Sequence, residues 1–258
     1  MKIIFEKSTL SSNPENKFMK NKLHLISYGD KKFIKAKHRI YNEAFNTHWF
    51  YSIKCYGLED LSVSFRKEFK SILTMKRGGG YWIWKFDIIL NKLDEINDGE
   101  FLIYVDSGCS VNANGTKRLE EYIEMIKNSK NKIISFQMDH QENIWTTKQV
   151  FDSFGISEND LIETSGQYVG GILIMQKCDA VINIFKNCLN KIRKDPLIIT
   201  DYYNSNQTKC FKDNRHDQSI LSVARKIHGS IVIPDETYSL DFNSETMQKI
   251  PFLATRFR

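Results

Sequence analysis

Asp106 is the residue that the sequence most clearly marks for chemistry. Five apolar or aromatic residues at 101–105 precede it, and Ser107 and Gly108 follow. Such a run fits a strand buried on both faces, and ligands of open α/β sheets collect at the carboxyl ends of the strands. We therefore expect Asp106 to face a metal-bound or cation-neutralised diphosphate, with Gly108 permitting close backbone approach. The alternative is an aspartate that caps a turn after a core strand.

A second candidate is the run of three glycines at 78–80, which lies between Arg77 and Lys85. Consecutive glycines are conformationally costly, and a glycine turn at the start of a helix can bind an anion through its free N–H groups. Trp82 follows the run, and the two flanking basic residues add positive charge. The alternative is a helix C-cap followed by a buried pair of tryptophans.

The third candidate is a polar cluster at 215–219, which consists of Arg215, His216, Asp217, Gln218 and Ser219 and precedes an apolar helical pattern. Side chains bunched at the start of a helix can all face one cleft. The alternative is a charged N-cap in which Asp217 favours the helix dipole.

Two further stretches place polar groups or glycines beside apolar runs. Asp139 and His140 follow a strand pattern at 132–138, although a plain loop histidine is the better interpretation of His140 taken alone. Gln167 and the pair Gly170–Gly171 precede a buried strand pattern at 172–175. Paired glycines there indicate close approach by another backbone or by a ligand.

The elements that must position these residues alternate between strands and helices. The pattern predicts strands at 23–27, 50–56, 101–105, 132–138, 172–175 and 230–233, with helices between them at 31–45, 61–75, 82–93, 116–127 and 180–192. The alternation begins as βαβα, which implies a parallel sheet. The predicted fold class is therefore α/β, with a central, mostly parallel sheet flanked by helices, in a single domain of two abutting halves.

Composition narrows the class of partner. The 258 residues carry a net charge of +6 with both signs abundant, which suits an anionic small molecule or a weak membrane-surface contact and, without a Lys/Arg-rich block, not nucleic acid. Five scattered cysteines without CxxC spacing indicate a reducing compartment. With neither a signal peptide nor an apolar run near roughly 20 residues, we expect a cytoplasmic protein. The aromatic and basic tail at 238–258 is expected to cover the site, to contact a membrane, or to be disordered.

Five stretches together resemble the GT-A glycosyltransferases, which are nucleotide-sugar enzymes with a Rossmann-like fold. The matching stretches occur in the expected order at 77–85, 104–109, 135–140, 167–171 and 215–219. More narrowly, the chain resembles glycosyltransferases from bacterial glycan loci and large DNA viruses, with Asp106-Ser107-Gly108 as a variant of the Asp-x-Asp motif. The resemblance implies a donor-binding half at 23–110 and an acceptor-binding half with the tail at 111–258, after an N-terminal arm at 1–22.

The resemblance also implies residue roles. Asp106 matches the first motif carboxylate, which holds Mn²⁺ or Mg²⁺ on the donor diphosphate, while Gly108 stands where the second carboxylate would be. The implied donor-binding residues are Ser27, Tyr28, Arg77, Trp82, Lys85, Asp106, Ser107 and Gly108. The implied acceptor-binding residues are Asp139, His140, Gln167, Gly170, Gly171 and Arg215. The implied catalytic residues are His216, Asp217 and Gln218.

The function implied is transfer of a hexosyl or related sugar from a nucleoside diphosphate sugar, UDP being favoured, to a glycan or other hydroxyl acceptor. The cluster around Asp217 is similar to that of retaining families, which favours retention. The alternative is a non-catalytic nucleotide-sugar or glycan-binding module on the same fold. A metal-dependent phosphoesterase would need more clustered carboxylates than the sequence shows.

Overall fold

A seven-stranded sheet forms the centre of the molecule, in a computed structural model that describes residues 17–257. The strands, in chain order, are β1 (Leu23–Tyr28), β2 (Ser52–Tyr56), β3 (Phe101–Val105), β4 (Ser110–Val111), β5 (Ile133–Gln141), β6 (Gly166–Tyr168), β7 (Ile172–Gln176), β8 (Ile231–Pro234) and β9 (Phe252–Leu253). The central sheet has the order β2-β1-β3-β7-β5-β6, with β8 also pairing with β5, while β4 and β9 form a separate two-stranded sheet.

The mostly parallel sheet that the sequence predicts is confirmed, with two reversed strands. β1 pairs in parallel with β2 and β3, and β5 pairs in parallel with β8. β7 lies antiparallel between β3 and β5, so that β3 and β5 point the same way, and β6 is antiparallel to β5. Alternation of strands and helices does not reveal this reversal, because the helices between β5 and β6 bring the chain back antiparallel to β5, and residues 169–171 then lead directly from β6 to β7.

Helices cover the sheet on both faces. They are α1 (Lys17–Asn21), α2 (Ile34–Thr47), α3 (Val63–Glu68), α4 (Lys70–Leu73), α5 (Trp84–Glu95), α6 (Thr116–Asn128), α7 (Glu142–Trp145), α8 (Lys148–Phe154), α9 (Leu161–Thr164), α10 (Asp179–Lys194) and α11 (Asp217–His228). The single helix predicted at 61–75 is divided into α3 and α4 at Phe69. None of the described helices combines the length and the apolarity needed to cross a bilayer.

β3 places Asp106 at the middle of the sheet edge. All five residues of β3 are buried, and the strand pairs with β1 on one side and β7 on the other. The antiparallel pairing with β7 continues one step further, since Asp106 N donates to Gly171 O at 2.8 Å. The carboxyl end of β3 therefore lies beside the glycine pair that precedes β7. A buried central strand is expected to pair with a neighbour on each side.

Both chain ends contribute to the packing. Of the arm predicted at 1–22, residues 1–16 lie outside the described residues, while α1 packs Phe18 against Trp49 with ring centroids 6.0 Å apart. At the other end, β9 pairs with β4, which directly follows the Asp106 loop. The tail is therefore packed beside the Asp106 loop, in agreement with the first of the three expectations for it.

Candidate active site

The ammonium of Lys85 joins the two aspartates that the sequence singles out. Lys85 lies in the first turn of α5, and its Nζ forms a short ion pair with Asp217 Oδ2 and lies 3.7 Å from Asp106 Oδ1. The same Nζ donates to Gly170 O at 2.9 Å. Lys85 and Asp217 are both buried, and buried charges persist when they are paired and hydrogen-bonded. Asp106 and Asp217, which are 111 positions apart in the sequence, therefore converge on one ammonium.

Burial and neighbouring charges shift the pKa values of Lys85 and Asp217 in opposite directions. Burial alone would lower the pKa of Lys85, but the charges of Asp106 and Asp217 outweigh burial and raise that pKa above its usual value. Burial raises the pKa of Asp217 to about 6, against the attraction of Lys85 and with repulsion from Asp106. Asp217 is thus ionised at neutral pH and becomes protonated in mild acid.

Asp106 is held by its neighbours on β3 and β7. The phenol of Tyr104 donates a short hydrogen bond to Asp106 Oδ1. A Cβ atom at Gly171 would lie 2.7 Å from Asp106 Oδ2, so any side chain at position 171 would displace the carboxylate. Asp106 remains partly exposed, with 37% of its side-chain surface accessible. Its Oδ1 is therefore engaged by the protein, and its Oδ2 is available to a ligand.

Two adjoining cavities meet at Asp106. The smaller has a volume of about 190 Å³ and the larger about 820 Å³. The smaller cavity is lined by Arg77, Trp82, Lys85, Asp106, Gly170, Gly171, Arg215, His216, Asp217 and Gln218. The larger cavity shares Asp106, Gly171, Arg215 and Gln218 with the smaller and adds, among others, Asp139, His140, Gln167, Tyr238 and Arg256.

The glycine run does not form the predicted anion cradle. Residues 78–82 all have positive φ, with values of 58° at Gly78, 59° at Gly79, 97° at Gly80, 52° at Tyr81 and 60° at Trp82. This left-handed turn uses its own N–H groups, since those of residues 79–82 donate to the carbonyls of residues 76–78. The turn instead positions Trp82, whose ring stacks on the His216 ring at 5.5 Å. Arg77 lines the smaller cavity, but its guanidinium is already paired with Asp201, at 2.9 Å, and Asp213, at 3.2 Å.

His216 lines the smaller cavity as a neutral imidazole. Its Nδ1 lies 2.9 Å from Ile199 O, a carbonyl that only accepts, so Nδ1 carries the proton. Burial, together with the charge of Arg77, lowers the pKa of His216, which keeps the ring neutral. Its Nε2 is buried without a hydrogen-bond partner among the described residues, and Asp201 Oδ1 lies 3.6 Å away. The backbone of His216, at φ 57° and ψ −117°, is strained, as is common where a side chain is held for function.

Gln218 and Gln167 form a chain of hydrogen bonds that holds the backbone of Gly170. Gln218 Oε1 accepts from Gly170 N at 2.9 Å, and Gln218 Nε2 donates to Gln167 Oε1 at 2.6 Å. The Gln167 amide nitrogen in turn donates to the buried Glu142 at 2.9 Å. This chain of amides orients the Gly170 backbone, whose carbonyl accepts from Lys85.

The other predicted site residues divide into two groups. Asp139, His140 and Arg215 line the larger cavity, where Arg215 lies over the Trp145 ring at 4.0 Å. Four predicted donor-binding residues line neither cavity, and these are Ser27, Tyr28, Ser107 and Gly108. Ser27 is fully buried, Tyr28 stacks on Trp84 at 3.7 Å, Ser107 O accepts from Arg39 at 2.8 Å, and Gly108 lies beneath the tail.

Three residues at the site are not among those that the sequence patterns predict. Tyr104 precedes Asp106 by two positions, and residues two apart on a strand share a face, so its spacing is a signal that would have found it. Asp201 accepts from Tyr81 Oη at 3.1 Å and from Arg77, and no local pattern marks it. Arg256 reaches the larger cavity from the tail, where only the basic composition drew attention to it.

The side chains at Asp106 do not by themselves form a divalent-metal site. Asp106 Oδ1 accepts from Tyr104 and lies 3.7 Å from the Lys85 ammonium, and Asp217 Oδ2 is paired with the same ammonium. Within residues 17–257, no three or more His, Cys, Asp and Glu side chains are grouped so that they could hold a metal ion. Mg²⁺ and Mn²⁺ bind sets of oxygen ligands, and these residues do not supply one.

No family model matches the chain, and no curated protein matches its sequence. Solved structures do match its fold. The apo structure of the bifunctional glycosyltransferase WbbM aligns over 90% of this chain and 45% of its own, with a TM-score of 0.51 and 10% identity. The chain has the GT-A fold.

Two other similar structures are nearly the length of this GT-A chain. Mouse xyloside xylosyltransferase 1 aligns over 90% of this chain and 97% of its own, at 9% identity and a TM-score of 0.48. A glycosyltransferase involved in glycosylation of the major capsid of PBCV-1 aligns over 90% of this chain and 92% of its own, at 14% identity and a TM-score of 0.46.

Proposed function

We propose that this chain is a glycosyltransferase that moves a hexosyl or related sugar from a nucleoside diphosphate donor to a hydroxyl of a glycan acceptor. The observation that carries the proposal is the meeting of Asp106 and Asp217 at the buried ammonium of Lys85, on the floor of adjoining cavities. UDP is the favoured nucleotide, as the resemblance implies.

The smaller cavity suits the transferred sugar. Its volume of about 190 Å³ leaves room for one sugar ring. Trp82 and the His216 ring stacked on it supply one wall of this cavity. The larger cavity then receives the acceptor beside Asp139 and His140.

Asp217 is the group that we assign to the transition state. Glycosyl transfer develops positive charge on the sugar ring, and a fixed carboxylate in a site of low dielectric stabilises that charge. Lys85 keeps Asp217 ionised and also weakens it as a base. The proton of the acceptor hydroxyl therefore passes to the leaving diphosphate, an arrangement that favours retention over inversion.

The test compares three matched Asp→Asn variants. The release of nucleoside diphosphate is measured with UDP-, GDP-, ADP- and dTDP-sugars, with and without manganese, for Asp217→Asn, Asp106→Asn and the control Asp98→Asn, whose side chain is exposed. Removing a group that stabilises the transition state lowers kcat about 10²- to 10³-fold, so we expect such losses at positions 217 and 106 and none at position 98. The manganese arm tests metal assistance, which the resemblance implies.

Two outcomes would contradict this assignment. Turnover that is unchanged in both site variants would remove the assigned roles. Tight donor binding with no turnover of any donor, in the presence of glycan acceptors, would instead identify a nucleotide-sugar-binding module. The anomeric configuration of the product, read by NMR, decides between retention and inversion.

A further inference from the structure

The C-terminal segment 255–257 is bound to the loop that follows Asp106. Phe257 N donates to Gly108 O at 2.8 Å, and Thr255 Oγ1 donates to the same carbonyl at 3.1 Å. The Phe257 ring lies beneath the Arg39 guanidinium at 5.3 Å. Together with the β4–β9 pairing, these contacts make the segment a fixed part of the site.

This segment explains why position 108 carries no side chain. A Cβ atom at Gly108 would lie 3.3 Å from Phe257 O and 3.6 Å from Arg256 Cα. The first distance is tighter than an ordinary van der Waals contact, so a side chain at position 108 would require the backbone of the tail to shift. The space that the second carboxylate of an Asp-x-Asp motif would occupy therefore belongs to residues 256 and 257.

Arg256 lies beside Gly108 with its backbone and lines the larger cavity that Asp106 also lines. Its backbone is left-handed, at φ 58°. The guanidinium lies 5.4 Å from the centre of the Tyr238 ring, and no carboxylate of residues 17–257 forms an ion pair with it. A guanidinium without an acidic partner matches phosphate oxygens through two parallel hydrogen bonds.

We propose that Arg256 binds the donor diphosphate and supplies the charge neutralisation that a divalent metal ion would otherwise provide, so that this enzyme transfers sugar without a metal. The proposal rests on the glycosyltransferase function proposed above. When the bond between the anomeric carbon and the diphosphate oxygen breaks, its electron pair stays on that oxygen, and Arg256 faces the added negative charge. The acceptor oxygen forms the new bond to the anomeric carbon, and its proton passes to the departing diphosphate.

The experiment measures binding of inorganic pyrophosphate and of UDP by calorimetry in the presence of EDTA. The variants are Arg256→Met, Arg256→Lys and the control Lys249→Met, which removes an exposed lysine of the same tail. We expect the unaltered protein to bind both probes without metal. Loss of a hydrogen bond to a charged group corresponds to about a 10- to 100-fold weaker Kd, which we expect for Arg256→Met, with an intermediate loss for Arg256→Lys because an ammonium lacks the paired donors. We expect no change for Lys249→Met.

Rescue by lysine separates binding from a structural role, because a purely structural defect would not follow the charge at position 256. Pyrophosphate and UDP binding that appears only after manganese is added would overturn the inference and leave the proposed function standing. Equal affinity of Arg256→Met and the unaltered protein would overturn it as well. Failure of UDP, GDP, ADP and dTDP to bind, with or without manganese, would reject the proposed function together with the inference.

Discussion

Replacing Lys85 with methionine tests the arrangement on which the site depends. The substitution keeps the length and apolar volume of the side chain but leaves Asp217 buried without its cation. Breaking a buried ion pair by removing one partner costs about 3–5 kcal/mol. In a domain of this size about 1 kcal/mol shifts the Tm by roughly 2–4 °C, so we expect Lys85→Met to lower the Tm by roughly 6–20 °C at pH 8.

The loss should depend on pH in a defined direction. Without Lys85, burial will raise the pKa of Asp217 above the value of about 6 that the ion pair maintains. A carboxyl whose pKa is higher in the folded than in the unfolded state stabilises the fold at low pH and loses that contribution as pH rises through the folded pKa. The gap in stability between Lys85→Met and the unaltered protein should therefore be smaller at pH 5 than at pH 8.

The assay is urea unfolding at both pH values, followed by a double-mutant cycle with Asp217→Asn. The double variant should recover part of the stability lost in Lys85→Met, because a neutral amide needs no cation. Lys249→Met serves as an exposed control in which we expect no measurable change. The reasoning would be refuted if Lys85→Met were as stable as the unaltered protein at pH 8. It would also be refuted if Lys85→Met cost the same free energy of unfolding in the Asp217→Asn background as in the unaltered protein.

Three further outcomes are expected at the same site. The rate of donor hydrolysis should rise with pH through about 6 as Asp217 ionises, and this acidic limb should be absent from the residual activity of Asp217→Asn. Gly171→Ala should cost about 1–3 kcal/mol in urea unfolding and lower kcat, because its Cβ would lie 2.7 Å from Asp106 Oδ2. Tyr104→Phe should fold normally by circular dichroism. It should lower kcat about tenfold, because it removes the hydrogen bond to the Asp106 carboxylate, and a loss of about 1.4 kcal/mol in transition-state stabilisation corresponds to that factor.

The sequence alone determined the centre of the fold. A continuous apolar run at 101–105 predicts a strand that is buried on both faces, because both sets of alternating side chains are apolar. The carboxylate that follows the run is then predicted to lie at the carboxyl end of that strand. The cluster at 215–219 precedes an apolar helical pattern, which predicts a helix start, and the structure begins α11 at Asp217. Both predictions depended only on neighbouring residues.

Tertiary structure decided what those residues contact. The glycines at 78–80 form a left-handed turn that satisfies its own N–H groups, and composition does not distinguish this conformation from a helix N-terminus. Lys85 bonds to Gly170 and Asp217 across the sheet edge, and Arg256 arrives from the far end of the chain over Gly108. Such contacts join residues that are distant in sequence, and the energies that select them arise from burial and from the approach of two backbones, neither of which exists until the chain is folded.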